Sequence, residues 1–320
     1  MPAHHPNTFQ TPSAVIFDMD GVLHAHGDPV PGAADLLRRL KSLRVPHCVL
    51  TNEDRWTNAE LSLKLQSVLG VEVHADDIYS ASNSVRDFLL RVKGADKVLS
   101  VFVVGEHGLK DCVGEVCELA TLVTPASAVD YVVLGARFID PNQRFKGWKV
   151  PPSGTPDTRF PSPDSRFIEA AETEHALACV AAGAKMLFTC PDTFEVDGEG
   201  RLRLGMPGGT VDLISSITGA NGFNCGKPNA AMARKAESII RRQRMIAQSH
   251  DQSLEPSSIL FVGDSLDTDI RIATENGYAA ALVVNSEISR RKLNKSCFRP
   301  DFILEGGLQG LMGLWLSEDS

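Results

Sequence analysis

A chain of 320 residues, 43% hydrophobic and 22% charged with a net charge of −8, holds enough apolar material for one large domain or two. The acidic balance argues against a broad nucleic-acid or anionic-membrane surface, and no apolar run reaches the roughly 18 to 20 residues of a bilayer-spanning helix. The cysteines at 48, 112, 117, 179, 190, 225 and 297 are odd in number and lack Cys-x-x-Cys spacing, which points to reduced thiols in a cytoplasmic protein rather than disulfides or structural zinc.

The opening MPAHHPNTFQTPS has no basic stretch leading into an apolar one, so no secretory signal is expected and residues 1–12 read as a disordered tail. Ala14–Phe17 is an unbroken apolar run and predicts a buried strand that ends on Asp18, Asp20 and Gly21. Pro31 and Gly32 lead into a helix marked by Leu36, Leu37, Leu40 and Leu43. A short strand, His47–Leu50, then ends at Thr51 and Asn52, and a helix through Leu61, Leu65 and Leu69 is stopped by Gly70. Val98–Val104, Tyr131–Leu134, Lys185–Thr189, Ile259–Val262 and Ala279–Val284 predict further strands. Strands alternating with helices argue for parallel α/β layers. Pro141–Pro163, rich in proline, predicts an exposed excursion, and Arg241–Ser258 a helix end running into a surface loop. Phe194–Leu204 reads as a hairpin about Gly198, Glu199 and Gly200; antiparallel strands amid a parallel pattern suggest an inserted second domain. The sequence has no internal repeat.

In open α/β sheets ligands bind beyond the carboxyl ends of the strands, where Asp18 and Asp20 would stand. A lone Asp-x-Asp could equally cap a turn. Here Phe261–Gly263, followed by Asp264, Asp267 and Asp269, repeats the arrangement. Like charges about 4 Å apart cost on the order of 4 kcal/mol at an effective dielectric of about 20, so converging carboxylates call for a cation. Oxygen donors in this number, with no His or Cys cluster, select Mg²⁺ over zinc. Thr51 and Asn52 offer a hydroxyl and an amide to an anion, and Lys227, on the turn Cys225–Pro228, offers an ammonium.

This ordered set resembles the haloacid dehalogenase superfamily of aspartate-nucleophile phosphotransferases, through DMDGVL (18–23), TN (51–52), GKP (226–228) and GDSLDTD (263–269). VPGAADLL (30–37), VVGEHGL (103–109), Thr189–Asp192 and MPGGTVDLI (206–214) narrow the likeness to the subclass of p-nitrophenyl, pyridoxal and phosphoglycolate phosphatases and NagD-like nucleotide phosphatases. The resemblance implies a Rossmann-like parallel-sheet core, residues 13–82 and 223–320, interrupted by an α/β cap of the C2 type over 83–222. It implies Asp18 as nucleophile and Asp20 as acid and base. Mg²⁺ would be held by the Asp18 and Asp264 carboxylates and the Asp20 carbonyl, with Asp269 supporting through water. Thr51, Asn52, Lys227 and the Met19–Gly21 backbone would hold the phosphoryl group. A small phosphorylated metabolite is the implied substrate, and a homodimer through the cap an implied assembly.

Where relatives continue the second motif with small polar residues, this chain has Glu53-Asp54-Arg55. Two acids there weaken anion binding unless Arg55 pairs with them; the expectation is that both point to solvent on a first helical turn, where acids are favoured. Cys190 replaces an asparagine in the cap signature, and Asp192 is expected to fix the cap loop, with a part in substrate choice alongside Glu53 and Arg55. His24 and His26 are expected to shape the entrance. The leading expectation is a Mg²⁺-dependent phosphatase of small phosphomonoesters. The alternatives are a feeble relative serving as a binding or interaction module, against which the intact aspartates and lysine speak, and a phosphomutase, for whose cap the stretch between Asp20 and the next strand leaves little room.

Overall fold

The computed structural model describes residues 11–94, 97–137, 165–196, 202–203, 206–247, 254–284 and 287–315. Its chain divides into two compact units, one of residues 1–25, 29–49 and 236–320, the other of 26–28 and 50–235. The second unit is larger than the insertion expected at 83–222, since it also takes in residues 26–28, 50–82 and 223–235.

The first unit is built on parallel strands in the order Phe302–Glu305, Ala279–Val284, Ile259–Gly263, Ala14–Phe17 and His47–Thr51. Ala14–Phe17 pairs Ile16 with Phe261 on one side and with Cys48 on the other. All four of its residues are fully buried, which is why it reads as a continuous apolar run rather than an alternating one. Helix Ala33–Ser42 buries Leu36, Leu37 and Leu40 at helical spacing, and Gly32, at φ 82, makes the left-handed entry. Pro12, at the end of the expected tail, is buried and its carbonyl accepts the Trp315 indole N–H at 3.3 Å.

The second unit carries a five-stranded parallel sheet ordered Gly222–Asn224, Lys185–Phe188, Tyr131–Leu134, Ser100–Val104 and Glu118–Leu119. Alternate residues serve opposite faces, as the strand period of two requires. Phe102, Val104, Val132, Leu134 and Met186 pack with Ala176, Cys179, Val211 and Ile214 from helices Ser165–Ala181 and Pro207–Thr218. Val101, Val103, Tyr131, Val133 and Leu187 pack with Val85, Leu89, Leu109 and Val113 from helices Ala81–Lys93 and His107–Gly114. Helices therefore cover both sides of the sheet. The predicted hairpin pairs Glu195–Val196 with Leu202–Arg203 antiparallel; its turn, like the Pro141–Pro163 excursion, lies outside the described residues.

All seven cysteines are free thiols, as expected. Among the described residues no helix is long and apolar enough to cross a membrane.

Candidate active site

In the first unit, the N–H of Asp18 donates to the Val262 carbonyl at 2.9 Å, so the strands Ala14–Phe17 and Ile259–Gly263 finish side by side. The loops leaving these two strands therefore emerge together. Asp18, Asp264 and Asp269 each bring one carboxylate oxygen to within 4.8 Å of the others. Asp269 is carried there by the π-turn Leu266–Ile270, in which the Ile270 N–H reaches back to the Ser265 carbonyl at 3.0 Å. Its Oδ2 accepts the N–H groups of Asp264 and Ser265, both at 3.1 Å, and so sets the conformation of the Asp264 loop. Gly263 makes room: a β-carbon there would stand 2.1 Å from the Asp269 β-carbon.

Asp18 and Asp269 are buried and Asp264 is half-buried. Three converging carboxylates, with no imidazole or thiol in the group, fit a hard divalent cation. The Asp20 carboxyl stands apart and more than half exposed, with Oδ1 3.4 Å from Nε2 of His24. Gly21 turns the backbone with φ 80, and its N–H donates to the His24 carbonyl at 2.7 Å. The two histidines expected at the entrance differ: His26 is exposed, whereas His24 is buried beside Asp20.

In the second unit, Asn52 and Lys227 are joined. The Lys227 N–H donates to Asn52 Oδ1 at 2.7 Å, and Asn52 Nδ2 faces the Lys227 carbonyl at 3.4 Å. The amide expected to meet an anion is thus engaged in fixing the lysine loop. Asn224 helps, accepting the Gly226 N–H at 3.0 Å and donating to the Lys227 carbonyl at 3.2 Å. A β-carbon at Gly226 would lie 1.8 Å from the Thr189 carbonyl oxygen, so this close approach demands glycine. The Lys227 side chain is almost fully buried, and its bond to Pro228 is cis.

The acids of the second motif do not point to solvent, and they precede the helix, which begins at Asn58 behind a Thr57 cap. Arg55 grips Glu53 with a forked pair, Nη2 to Oε2 at 2.7 Å and Nε to Oε1 at 2.9 Å. Burial alone would push the Glu53 carboxyl up, but Arg55 and Lys64 hold it down at about 2. Asp54 has no exposed surface; burial first, and then the Glu53 charge, pushes it up to about 7. Its carboxylate oxygens accept the Ala136 N–H at 3.1 and 3.2 Å. The expectation of a solvated pair rests on a first helical turn that begins only after these residues; the cost of burying them is offset by the fork and the Ala136 amide.

Asp192 ties its loop to the next helix and to Cys190. Its carbonyl accepts the Gly208 N–H at 2.9 Å at the head of helix Pro207–Thr218, and its Oδ2 accepts the Cys190 thiol at 3.0 Å. Burial, reinforced by the Asp192 charge, pushes that thiol well up and so favours its protonated form.

One group escaped sequence reading. Glu60 closes a capping box on Thr57 and binds His107 Nε2 at 2.9 Å, while Trp56 lies edge-on to the His107 ring. The Thr-x-x-Glu spacing before an apolar run was the available signal.

Two family descriptions match the chain: haloacid dehalogenase-like hydrolase over residues 15–116 and HAD-hydrolase-like over 224–307. The first stretch contains Asp18, Asp20, Thr51 and Asn52, the second Lys227, Asp264 and Asp269. The chain is 28% identical over 287 residues to a dihydroxyacetone phosphatase of Corynebacterium glutamicum, covering 90% of this chain and 86% of that one. It is 27% identical to the ribonucleotide monophosphatase NagD of Escherichia coli, covering 90% and 94%. The chain belongs to the haloacid dehalogenase-like hydrolases. The solved structure of E. coli NagD superposes with a TM-score of 0.66 at 26% identity, over 93% of this chain and 97% of that one. A p-nitrophenyl phosphatase from Archaeoglobus fulgidus, at 20% identity and a TM-score of 0.68, covers 92% and 95% and shares the fold. Within the haloacid dehalogenase-like hydrolases the chain stands in the phosphatase subclass, as the motifs led one to expect.

Proposed function

We propose that this phosphatase-class hydrolase removes phosphate from small phosphomonoesters in a Mg²⁺-dependent reaction with Asp18 as nucleophile. The observation that carries the reading is the convergence of Asp18, Asp264 and Asp269 at the ends of two adjacent parallel strands. The names of the relatives, a dihydroxyacetone phosphatase and a ribonucleotide monophosphatase, support the substrate class.

An oxygen of Asp18 attacks phosphorus, and the bond to the leaving oxygen breaks. Asp20 gives that oxygen its proton. The product alcohol departs, and the phosphoryl group remains on Asp18. Asp20, now a carboxylate, takes a proton from water as the water oxygen attacks phosphorus, which frees Asp18 and releases phosphate. An exposed carboxyl that stays outside the carboxylate group suits this exchange of protons. The Thr51 hydroxyl, the Lys227 ammonium and the Met19–Gly21 backbone hold the phosphoryl oxygens as charge moves between them. Asn52 serves by holding the Lys227 backbone. The Asp18 and Asp264 carboxylates and the Asp20 carbonyl would hold Mg²⁺, with Asp269 ordering the Asp264 loop, and the ion would supply the positive charge that lets these acids coexist.

Residues 83–222 act in this reading as the inserted cap that chooses the leaving group. Pyridoxal phosphate, phosphoglycolate, sugar phosphates and nucleoside monophosphates all fall within the class. The test is hydrolysis of p-nitrophenyl phosphate with Mg²⁺, with EDTA, and by Asp18→Asn, followed by a phosphoester panel. Turnover with Mg²⁺ that vanishes under the other two conditions is expected; activity that survives either one overturns the mechanism.

A further inference from the structure

The turn between strand His47–Thr51 and helix Asn58–Leu69 is fastened along most of its length. The Thr51 hydroxyl accepts the Glu53 N–H at 3.0 Å, Asn52 holds Lys227, Glu53 is forked by Arg55, and the Arg55 carbonyl accepts the Gly108 N–H at 3.1 Å. Asp54 is the deepest of these fastenings, and no catalytic step uses it. Its carboxyl meets the Ala136 N–H just past strand Tyr131–Leu134 and the Thr189 side chain just past Lys185–Phe188, whose hydroxyl also donates to the Leu134 carbonyl at 3.4 Å. Its own carbonyl accepts the Ser82 hydroxyl at 3.2 Å from helix Ala81–Lys93. The site is shaped to receive it, since a β-carbon at Gly135 would stand 2.7 Å from Asp54 Oδ2.

We infer that Asp54 is a positioning residue that locks the Thr51–Asn52 turn to two strand ends and one helix of the second unit, and so holds the phosphate-binding groups in place. This rests on the phosphatase reading of Thr51, Asn52 and Lys227.

The charges that face Asp54 are few. Glu53 and Arg55 stand on its own turn, and the Cys190 thiol, backed by Asp192, faces it from the Lys185–Phe188 end. Ser82, Ala136 and Leu109 bring none. Burial first, and then the ionised Glu53 beside it, push the Asp54 carboxyl up to about 7, against the downward pull of the Thr189 and Ala136 bonds. Below about that pH the turn carries one buried negative charge rather than two. Ionisation above that pH places a second buried negative charge on the turn and loosens it.

The test uses the full chain with Mg²⁺ and p-nitrophenyl phosphate, with inorganic phosphate as competitive inhibitor and circular dichroism confirming the fold at each pH. Asp54→Ala leaves the buried Ala136 N–H without its acceptor and is expected to raise the phosphate inhibition constant about tenfold. Asp54→Asn keeps an acceptor for Ala136 without a charge, so at pH 6 it should stay within about threefold of the parent. It should also lack the parent's decline in kcat/KM between pH 6 and 8.5. Should Asp54→Ala not fold, the Asp54→Asn profile decides alone. A folded Asp54→Ala with a phosphate constant within about twofold of the parent, or an Asp54→Asn profile parallel to the parent's, overturns the inference and leaves the phosphatase reading standing. A parent with no p-nitrophenyl phosphatase activity overturns both.

Discussion

At Gly263 a single hydrogen in place of a methyl group leaves space for the Asp269 side chain to cross beneath the strand end. Gly263→Ala must push Asp269 away from the N–H groups of Asp264 and Ser265. A cost of about 1–3 kcal/mol is expected from such overpacking, read by urea denaturation. The Mg²⁺ concentration needed for half-maximal activity should rise as well, because the Asp264 loop loses its tether. An unchanged Mg²⁺ response would show that Asp269 does not order that loop. The aspartates themselves were legible in the sequence, since each ends or follows an apolar run at a strand tip. The need for glycine at Gly226 and Gly263 was hidden, because the groups that crowd them come from Thr189 and from a π-turn.

The turn 51–57 shows the same limit at the scale of an element. Arg55 beside Glu53 suggested a pairing, but the Ala136 amide that holds Asp54 lies far along the chain, and no local pattern announces it. Arg55→Met leaves the buried Glu53 carboxylate uncompensated and should cost about 3–5 kcal/mol, measured by urea denaturation at pH 7. The two acids also set opposite pH slopes. The Glu53 carboxyl is held below its ordinary value, so its contribution is present above about pH 4.5 and is lost as pH falls toward 2. The Asp54 carboxyl is held above its ordinary value, so its contribution is present below about pH 4 and is lost as pH rises through 7. Asp54→Asn should therefore gain stability relative to the parent on going from pH 5 to pH 8, by on the order of 3 kcal/mol; an equal difference at the two pH values would contradict the assigned burial charge. Strands and helices were read more fully than this turn because periodicity is a local signal. The edge strands Phe302–Glu305, Glu118–Leu119 and Gly222–Asn224 went unread because they are short and largely exposed, with only Leu304 buried among them.

For the whole molecule, the parallel α/β character and the family were legible from motif order alone, since a motif needs only its own residues to be recognised. The division of the chain was less so. The compact units part at 25/26, 28/29, 49/50 and 235/236, the last two inside strand His47–Thr51 and helix Ala230–Ile246, where a continuous hydrophobic pattern gives no sign of a boundary. Removal of divalent metal tests the molecule as one system: EDTA should abolish turnover and added Mg²⁺ restore it, with the circular dichroism spectrum unchanged. Capture of the phosphorylated enzyme probes the proposed chemistry at its first step. The full chain with Mg²⁺ would be mixed with radiolabelled p-nitrophenyl phosphate, quenched in acid within one turnover and digested. Hydroxylamine-sensitive label is expected on the peptide that carries Asp18, and none on Asp18→Asn. Product formed at full rate with no labelled protein, or label on another residue, would contradict an aspartyl-phosphate at Asp18.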